Sequence, residues 1–539
     1  MEKMHLGIMA DCSRNAVLSV DGVKRLIDCL QKMGYNTLML YTEDTYEVND
    51  QPLFGYLRGK YTKTELKELV KYGKEHGVEL IPCIQTLAHL NQMFRWSEYQ
   101  DIRDCDDILL VGEEKTYRLI EDMIRSVREC FDTDIIHLGM DEAHNLGNGK
   151  YKQLHGETDR LEILKGHLDK VTDIAKKYGF KPIIWSDMFF SLAKRARNDY
   201  SWYYTDDPDI ITPEIAATVP EGLGLTYWDY YADNKSRYDN MLEAHLRFDH
   251  PVWFGGGAWT WAGFAPHNRM SVRRTRTAMQ SCREKGIKNI FLTCWGDNGG
   301  EATVFSVLPT LFYAAEVYRG NEDESSIHKK FKETFGIDFD DFMKLDLPAV
   351  PSPECADSTD SFDITLLYSD PFLGWTDSVI KSRFPNAERL YEEYAAKLAE
   401  LQNNDEFGYM FRASSAMCSL LAVKSTLGIR TREAYKSGDK KAIKELTDRY
   451  KEAEKRAADF YNAYRDAWYH DKKGSGFEVQ DIRLGGLIFR LADCRKRLES
   501  YLDGSISGID ELEENPVDIP IGGGQWPRWN QSASVNSIG

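Results

Sequence analysis

The sequence predicts an α/β fold: a (β/α)8 TIM barrel followed by an all-α C-terminal domain. Three observations carry this. Between residue 5 and about 300, short β-rich runs alternate with amphipathic helical patterns, which suits parallel strands joined by helices. No Gly-x-Gly-x-x-Gly follows the first run, so an open dinucleotide-binding sheet fits less well than a closed barrel. From about 380 to 503 the pattern is almost wholly helical with long charged faces.

In chain order, the strand candidates are residues 5–11, 37–44, 79–86, 135–142, 182–188, 201–205, 224–231, 252–261 and 289–295. That is one more than a barrel needs, and pattern does not say which is extra. The helical stretches 21–33, 64–76, 114–130 and 159–178 carry apolar residues at three- and four-residue spacing. Gly34, Gly77 and Gly179 stand at the stop position after three of them. The texture changes after a helical segment at 304–318, and 339–377 is rich in Asp, Pro and Ser. The expected division is a barrel over 1–320, an irregular connector over 321–380, a helical domain over 381–503 and an irregular tail over 504–539. Trp526 and Trp529 in that tail read as docking on the chain's own body rather than binding a ligand, and their docking would support the fold or a homodimer.

Composition narrows the classes of function. Lys plus Arg is 68 against 86 Asp plus Glu, a net charge of −18. A field of that sign repels phosphate backbones and anionic lipid, so neither nucleic-acid nor membrane partners are expected. The densest basic run, 269–276, reads as a solvated helix face. The N-terminus has no apolar signal region, no stretch is apolar enough to span a membrane, and the ten Cys show no Cys-x-x-Cys. A cytoplasmic protein with reduced thiols is the expectation. No metal-ligand spacing such as His-Glu-x-x-His occurs, so no metal and no cofactor is expected, and His89 and His137 read as structural or supporting groups.

Reactive groups of a barrel sit at the C-terminal ends of its strands. Those ends offer Asp11 and Arg14, Glu43 and Asp44, Gln85 and His89, Asp141 and Glu142, Trp185 and Asp187, Trp202, Tyr227 and Asp229, Trp259 and Trp261, and Trp295 and Asp297. Carboxylates interleaved with Trp and Tyr suit a sugar, whose C–H face stacks on aromatic rings while its hydroxyls meet charged groups. The sharpest motif is His137-Leu138-Gly139-Met140-Asp141-Glu142, an apolar run ending in two adjacent carboxyls. Neighbouring like charges disfavour double ionisation, so one of the two is expected to keep a proton and act as its donor.

This motif resembles the His-x-Gly-Gly-Asp-Glu of the glycoside hydrolase family 20 β-N-acetylhexosaminidases, with Met140 in place of the second Gly. Trp185, Trp202, Tyr227-Trp228-Asp229 and Trp295-Gly296-Asp297 follow in the family's order, and Gly256-Gly257-Ala258-Trp259-Thr260-Trp261 resembles the same last element. The resemblance covers roughly residues 5–318, and the helical domain after it is similar to a compact bacterial branch that lacks the N-terminal accessory domain. It implies substrate-assisted retaining hydrolysis of an oligosaccharide or glycoconjugate ending in an N-acetylhexosamine. Glu142 would be the general acid and base, Asp141 would hold the acetamido N–H, and Tyr227 would donate to the acetamido oxygen, with Tyr230 as the neighbouring alternative. Trp185, Trp202 and one of Trp259 or Trp295 would wall the sugar. His89 with Asp44 would orient Glu142, and Arg14 with Asp229 or Asp297 would bind outer hydroxyls. The competing enzyme reading is a two-carboxylate glycosidase with Asp187, Asp229 or Asp297 as nucleophile, and the non-enzyme reading is a sugar-binding protein.

Overall fold

The computed structural model describes residues 4–515, 517 and 528–536. Eight parallel strands close into a barrel in chain order: β1 (His5–Asp11), β2 (Thr37–Thr42), β3 (Glu79–Ile84), β4 (Ile135–His137), β5 (Lys181–Trp185), β6 (Gly224–Trp228), β7 (Val252–Gly257) and β8 (Asn289–Cys294). The extra candidate is 201–205, which forms a loop. Lys194 holds that loop, its Nζ donating to Trp202 O at 2.6 Å and Tyr204 O at 2.7 Å.

The barrel strands read as continuous apolar runs because inner side chains pack the interior while outer ones meet the helices. The interior is largely aromatic: His5 lies 5.1 Å from Trp253, Trp253 6.3 Å from Phe291, Phe291 5.6 Å from Trp185, and Trp185 6.1 Å from Trp295. This column rises to the strand ends and forms the floor of the site. Helix starts follow the local code: Ser19 accepts the Gly22 N–H ahead of Val20–Lys32, and Thr62 with Glu65 makes a capping box ahead of Lys63–Glu75.

The chain divides into two compact units. The first holds residues 1–258, 271–295 and 310–330, and so contains all eight strands. The second holds 259–270, 296–309 and 331–539. In it, helix Lys440–Asp471 buries Tyr450, Ala453, Ala457, Phe460, Tyr464 and Trp468 along one stripe. Asp346 accepts the N–H groups of Asn268 and Arg269 at 3.0 and 2.9 Å, and Asp363 those of Phe264 and Ala265 at 2.7 and 3.1 Å.

The expected irregular connector, 321–380, is instead substantially helical, with Glu324–Phe335 and Phe362–Tyr368 among its helices. Ile327, Phe331 and Phe335 stand four residues apart and are buried, a period masked in the sequence by the charges between them. Trp529 docks within the second unit, its ring 6.3 Å from Tyr368 and under the Arg483 guanidinium at 5.4 Å. Trp526 lies outside the described residues. All ten cysteines are free, and among the described residues no helix is long and apolar enough to cross a membrane.

Candidate active site

The site is organised by an early end to β4. After His137 the backbone of Gly139, Met140 and Glu142 turns into the left-handed region, with φ of +72, +75 and +52°. This breaks the ladder and swings Asp141 and Glu142 over the barrel mouth. A side chain at 139 would put its Cβ 2.0 Å from Gln85 Oε1, so glycine is required there. Gln85, just past β3, uses the space: its Oε1 accepts the Met140 N–H at 3.1 Å, and its Nε2 donates to Asp141 Oδ1 at 2.8 Å. Left-handed residues other than Gly are strained by roughly 1–3 kcal/mol each, and such strain gathers at working sites.

His89 Nε2 lies 3.2 Å from Asp141 Oδ2 and 3.7 Å from Glu142 Oε2, joining the two carboxyls from behind. Burial alone would lower the His89 pKa, but the Asp141 charge and hydrogen bond outweigh it and push it up to about 10. Burial would likewise raise Asp141, yet the His89 charge and the His89 and Gln85 hydrogen bonds bring it down to about 2. Asp141 is therefore held in its ionised form by these partners. A third carboxyl, Asp187, accepts the Glu142 N–H at 3.0 Å; burial first, then the Asp141 charge, raises it to about 8. His137 is buried and lowered to about 3, and its Nδ1 accepts the Gly139 N–H at 3.1 Å, a structural role.

On the β1 and β2 side, Arg14 is fixed from several directions. Its Nη1 donates to Asp11 Oδ2 at 2.7 Å, its Nε lies 3.5 Å from Glu43 Oε1, and its guanidinium covers Tyr41 and Trp295 at 5.3 and 5.2 Å. Trp295 also meets the Tyr41 ring edge-on at 4.7 Å. The structure thus brings Arg14, His89, Asp141, Glu142, Trp185 and Trp295 into one cluster. Trp202 sits beside Glu142 on the cleft that both line with Trp228.

Three expectations are corrected. Tyr227 does not face the cluster: it pairs in register with Phe254, its ring lies 5.1 Å from His245 on helix Lys235–Leu246, and its hydroxyl donates to Asp229 Oδ2 at 2.8 Å. Asp229 also accepts the N–H groups of Tyr231 and Ala232, so it builds the turn after β6 and is committed there. Asp44 pairs with Arg58 at 2.9 Å, and Arg58 reaches Ser13 O and Asn15 Oδ1, so this pair holds the loop that carries Arg14. The charge that reaches His89 from β2 is that of Glu43. Trp259 is fully buried and stacked on Trp261 at 4.4 Å, while Trp295 is the one beside Arg14.

Three groups take a larger part than the sequence reading gives them: Gln85 and Glu43 stand among the strand-end groups without a role of their own, and Tyr230 only as the alternative to Tyr227. Gln85 was visible only as a polar residue ending an apolar strand. Glu43 follows Met39 and Tyr41 at the two-residue spacing of one strand face. Tyr230 stacks on Trp228 at 5.2 Å, and its hydroxyl meets the side chains of Trp295 and Thr293, within reach of the Asp141 charge. Of the carboxyls first considered as nucleophiles, Asp187 favours its neutral form and Asp229 is held in its turn.

The family model described as glycosyl hydrolase family 20, catalytic domain, matches residues 4–209, and that described as glycoside hydrolase 20C C-terminal domain matches 340–522. Among curated relatives, a chitooligosaccharidolytic beta-N-acetylglucosaminidase of Bombyx mori is 29% identical over 159 residues, 25% of this chain and 26% of that protein. Hexosaminidase D of Homo sapiens is 24% identical over 247 residues, 43% of this chain and 45% of that protein. The chain thus spans less than half the length of either relative. A solved structure, the GH20 exo beta-N-acetylglucosaminidase of Vibrio harveyi with N-acetylglucosamine, is 14% identical over 64% of this chain and 59% of that one, with a TM-score of 0.46. With the catalytic domain and the C-terminal domain matched in order along one polypeptide, the chain belongs to glycoside hydrolase family 20.

Proposed function

We propose that this protein is an exo-acting β-N-acetylhexosaminidase. It would remove terminal β-linked N-acetylglucosamine, or N-acetylgalactosamine, from an oligosaccharide or glycoconjugate by substrate-assisted retaining hydrolysis. The observation that carries the reading is the unequal pair of carboxyls behind which His89 sits: Asp141 is held ionised by His89 and Gln85, while Glu142 is the more exposed of the two.

In this reading the Asp141 carboxylate accepts the acetamido N–H and stabilises the positive charge that develops as the acetamido oxygen attacks C1. Glu142 gives its proton to the glycosidic oxygen, the C1–O bond breaks, and the leaving group departs as an alcohol. The Glu142 carboxylate then takes a proton from water, whose oxygen attacks C1 and reopens the oxazolinium ring with net retention. Tyr230, rather than Tyr227, donates to the acetamido oxygen, because it stands beside Trp295 and within reach of Asp141. Trp185 and Trp295 supply the walls, and Arg14 binds outer hydroxyls.

The deciding comparison is 4-nitrophenyl N-acetyl-β-glucosaminide against 4-nitrophenyl β-glucoside. Turnover of the first and inertness of the second support the substrate's own acetamido group as nucleophile, and comparable turnover of both rejects it. A thiazoline mimic of the bicyclic intermediate should bind far more tightly than N-acetylglucosamine.

A further inference from the structure

We propose that this protein has a leaving-group subsite built for an anionic sugar, with Arg195 as the residue that recognises the charge. The inference rests on the hexosaminidase reading above. Glu142 and Asp187 stand on a cleft of about 180 Å³ that is also lined by His144, Arg195, Tyr200 and Trp202. Arg14, Asp141, Trp185 and Trp295 do not line it. A general acid stands at the glycosidic oxygen, between the sugar being released and the group that leaves. With the released sugar on the Asp141 and Arg14 side of Glu142, this cleft receives the leaving group.

The lining specifies the ligand. Tyr200 and Trp202 are 77% and 58% exposed, two aromatic faces on which a pyranose can stack. The platform is preformed, since Lys194 binds the carbonyls of Trp202 and Tyr204 and lies 3.4 Å from Asp199. Arg195 is half-buried, and among the described residues its guanidinium has neither an ion pair nor a hydrogen bond. Its charge is felt nearby: burial, followed by Arg195, lowers the pKa of both His144 and Arg160. Arg160, which does not line the cleft, donates to His144 O at 2.9 Å and holds that lining residue in place. In a chain of net charge −18, an uncompensated guanidinium on the substrate cleft fits a carboxylate or sulfate, which its forked N–H groups bind in pairs. The carboxyls sharing the cleft do not forbid this. Asp187 favours its neutral form, and in the proposed mechanism Glu142 carries its proton when the substrate binds.

The test uses two aryl N-acetyl-β-glucosaminides that differ by one charge, the 3-carboxy-4-nitrophenyl glycoside and its methyl ester, on the full chain and on Arg195→Gln and Arg195→Lys. The carboxylate should be preferred by about tenfold in kcat/KM at low salt, which corresponds to one partly exposed charge contact. That ratio should fall toward one at high salt and in Arg195→Gln, and be partly kept in Arg195→Lys. A ratio that is the same in wild type and Arg195→Gln, or that ignores salt, overturns the proposal. Should Arg195→Gln fail to fold, the salt dependence of the wild type decides. Turnover of neither glycoside would instead reject the hexosaminidase reading itself. Disaccharides of N-acetylglucosamine on glucuronic acid and on a 6-sulfated hexosamine then separate carboxylate from sulfate. Preference for one over the neutral disaccharide identifies the anion, and preference for neither overturns the proposal.

Discussion

Glu142→Gln keeps the shape of the side chain but removes its transferable proton. We expect kcat to fall by about 10²–10⁴-fold with poor leaving groups and much less with acidic phenols, read from a leaving-group series. Equal losses across that series would take the general-acid role away from Glu142. The two tyrosines should separate in the same assay. Tyr230→Phe should lower kcat with little change in KM, whereas Tyr227→Phe should leave kcat near wild type and cost about 1 kcal/mol of stability through its lost bond to Asp229. Asp187 carries a pH signature. Its folded pKa is raised to about 8, so between the unfolded value near 4 and 8 the native state binds a proton that the unfolded state has released, and stability falls as pH rises through that window. Asp187→Asn mimics the protonated form, so its melting temperature should depend less on pH from 5 to 8. Parallel melting curves for the two proteins would mean that Asp187 is ionised in the native state.

At the scale of the element, the decisive feature is the turn that ends β4. The strand predicted for 135–142 stops at His137 because the next residues adopt positive φ, and that departure from β geometry aims Asp141 at His89 and Gln85. Gly139→Ala would strain the turn and drive a Cβ into Gln85, which holds Asp141. We expect kcat to fall by about tenfold or more, since small misplacements of a reacting group are costly, together with a lower melting temperature. Wild-type kinetics in the Gly139→Ala protein would show that Gln85 does not position Asp141.

For the whole molecule, segments 259–270 and 296–309, which follow β7 and β8 in the chain, belong to the same compact unit as 331–539. Asp363→Ala would strip the Phe264 and Ala265 N–H groups of their acceptor, at about 1–3 kcal/mol for each group left unpaired, and denaturant unfolding of the full chain should show the loss. The sequence by itself determined the barrel, the order of its strand ends, the helical domain and the Asp141-Glu142 pair, because apolar periodicity and strand-to-helix alternation are local properties that survive without a partner. It misread Tyr227, Asp44 and the 321–380 connector. Alternation assigns a face only while a strand stays regular, and Tyr230 lies past the end of β6, where the turn built on Asp229 decides which tyrosine meets Trp295. Only the tertiary structure decided that Asp44 would find Arg58 and that His89 would find Asp141, because these partners are brought together by the closing of the barrel and its loops, not by any spacing along the chain.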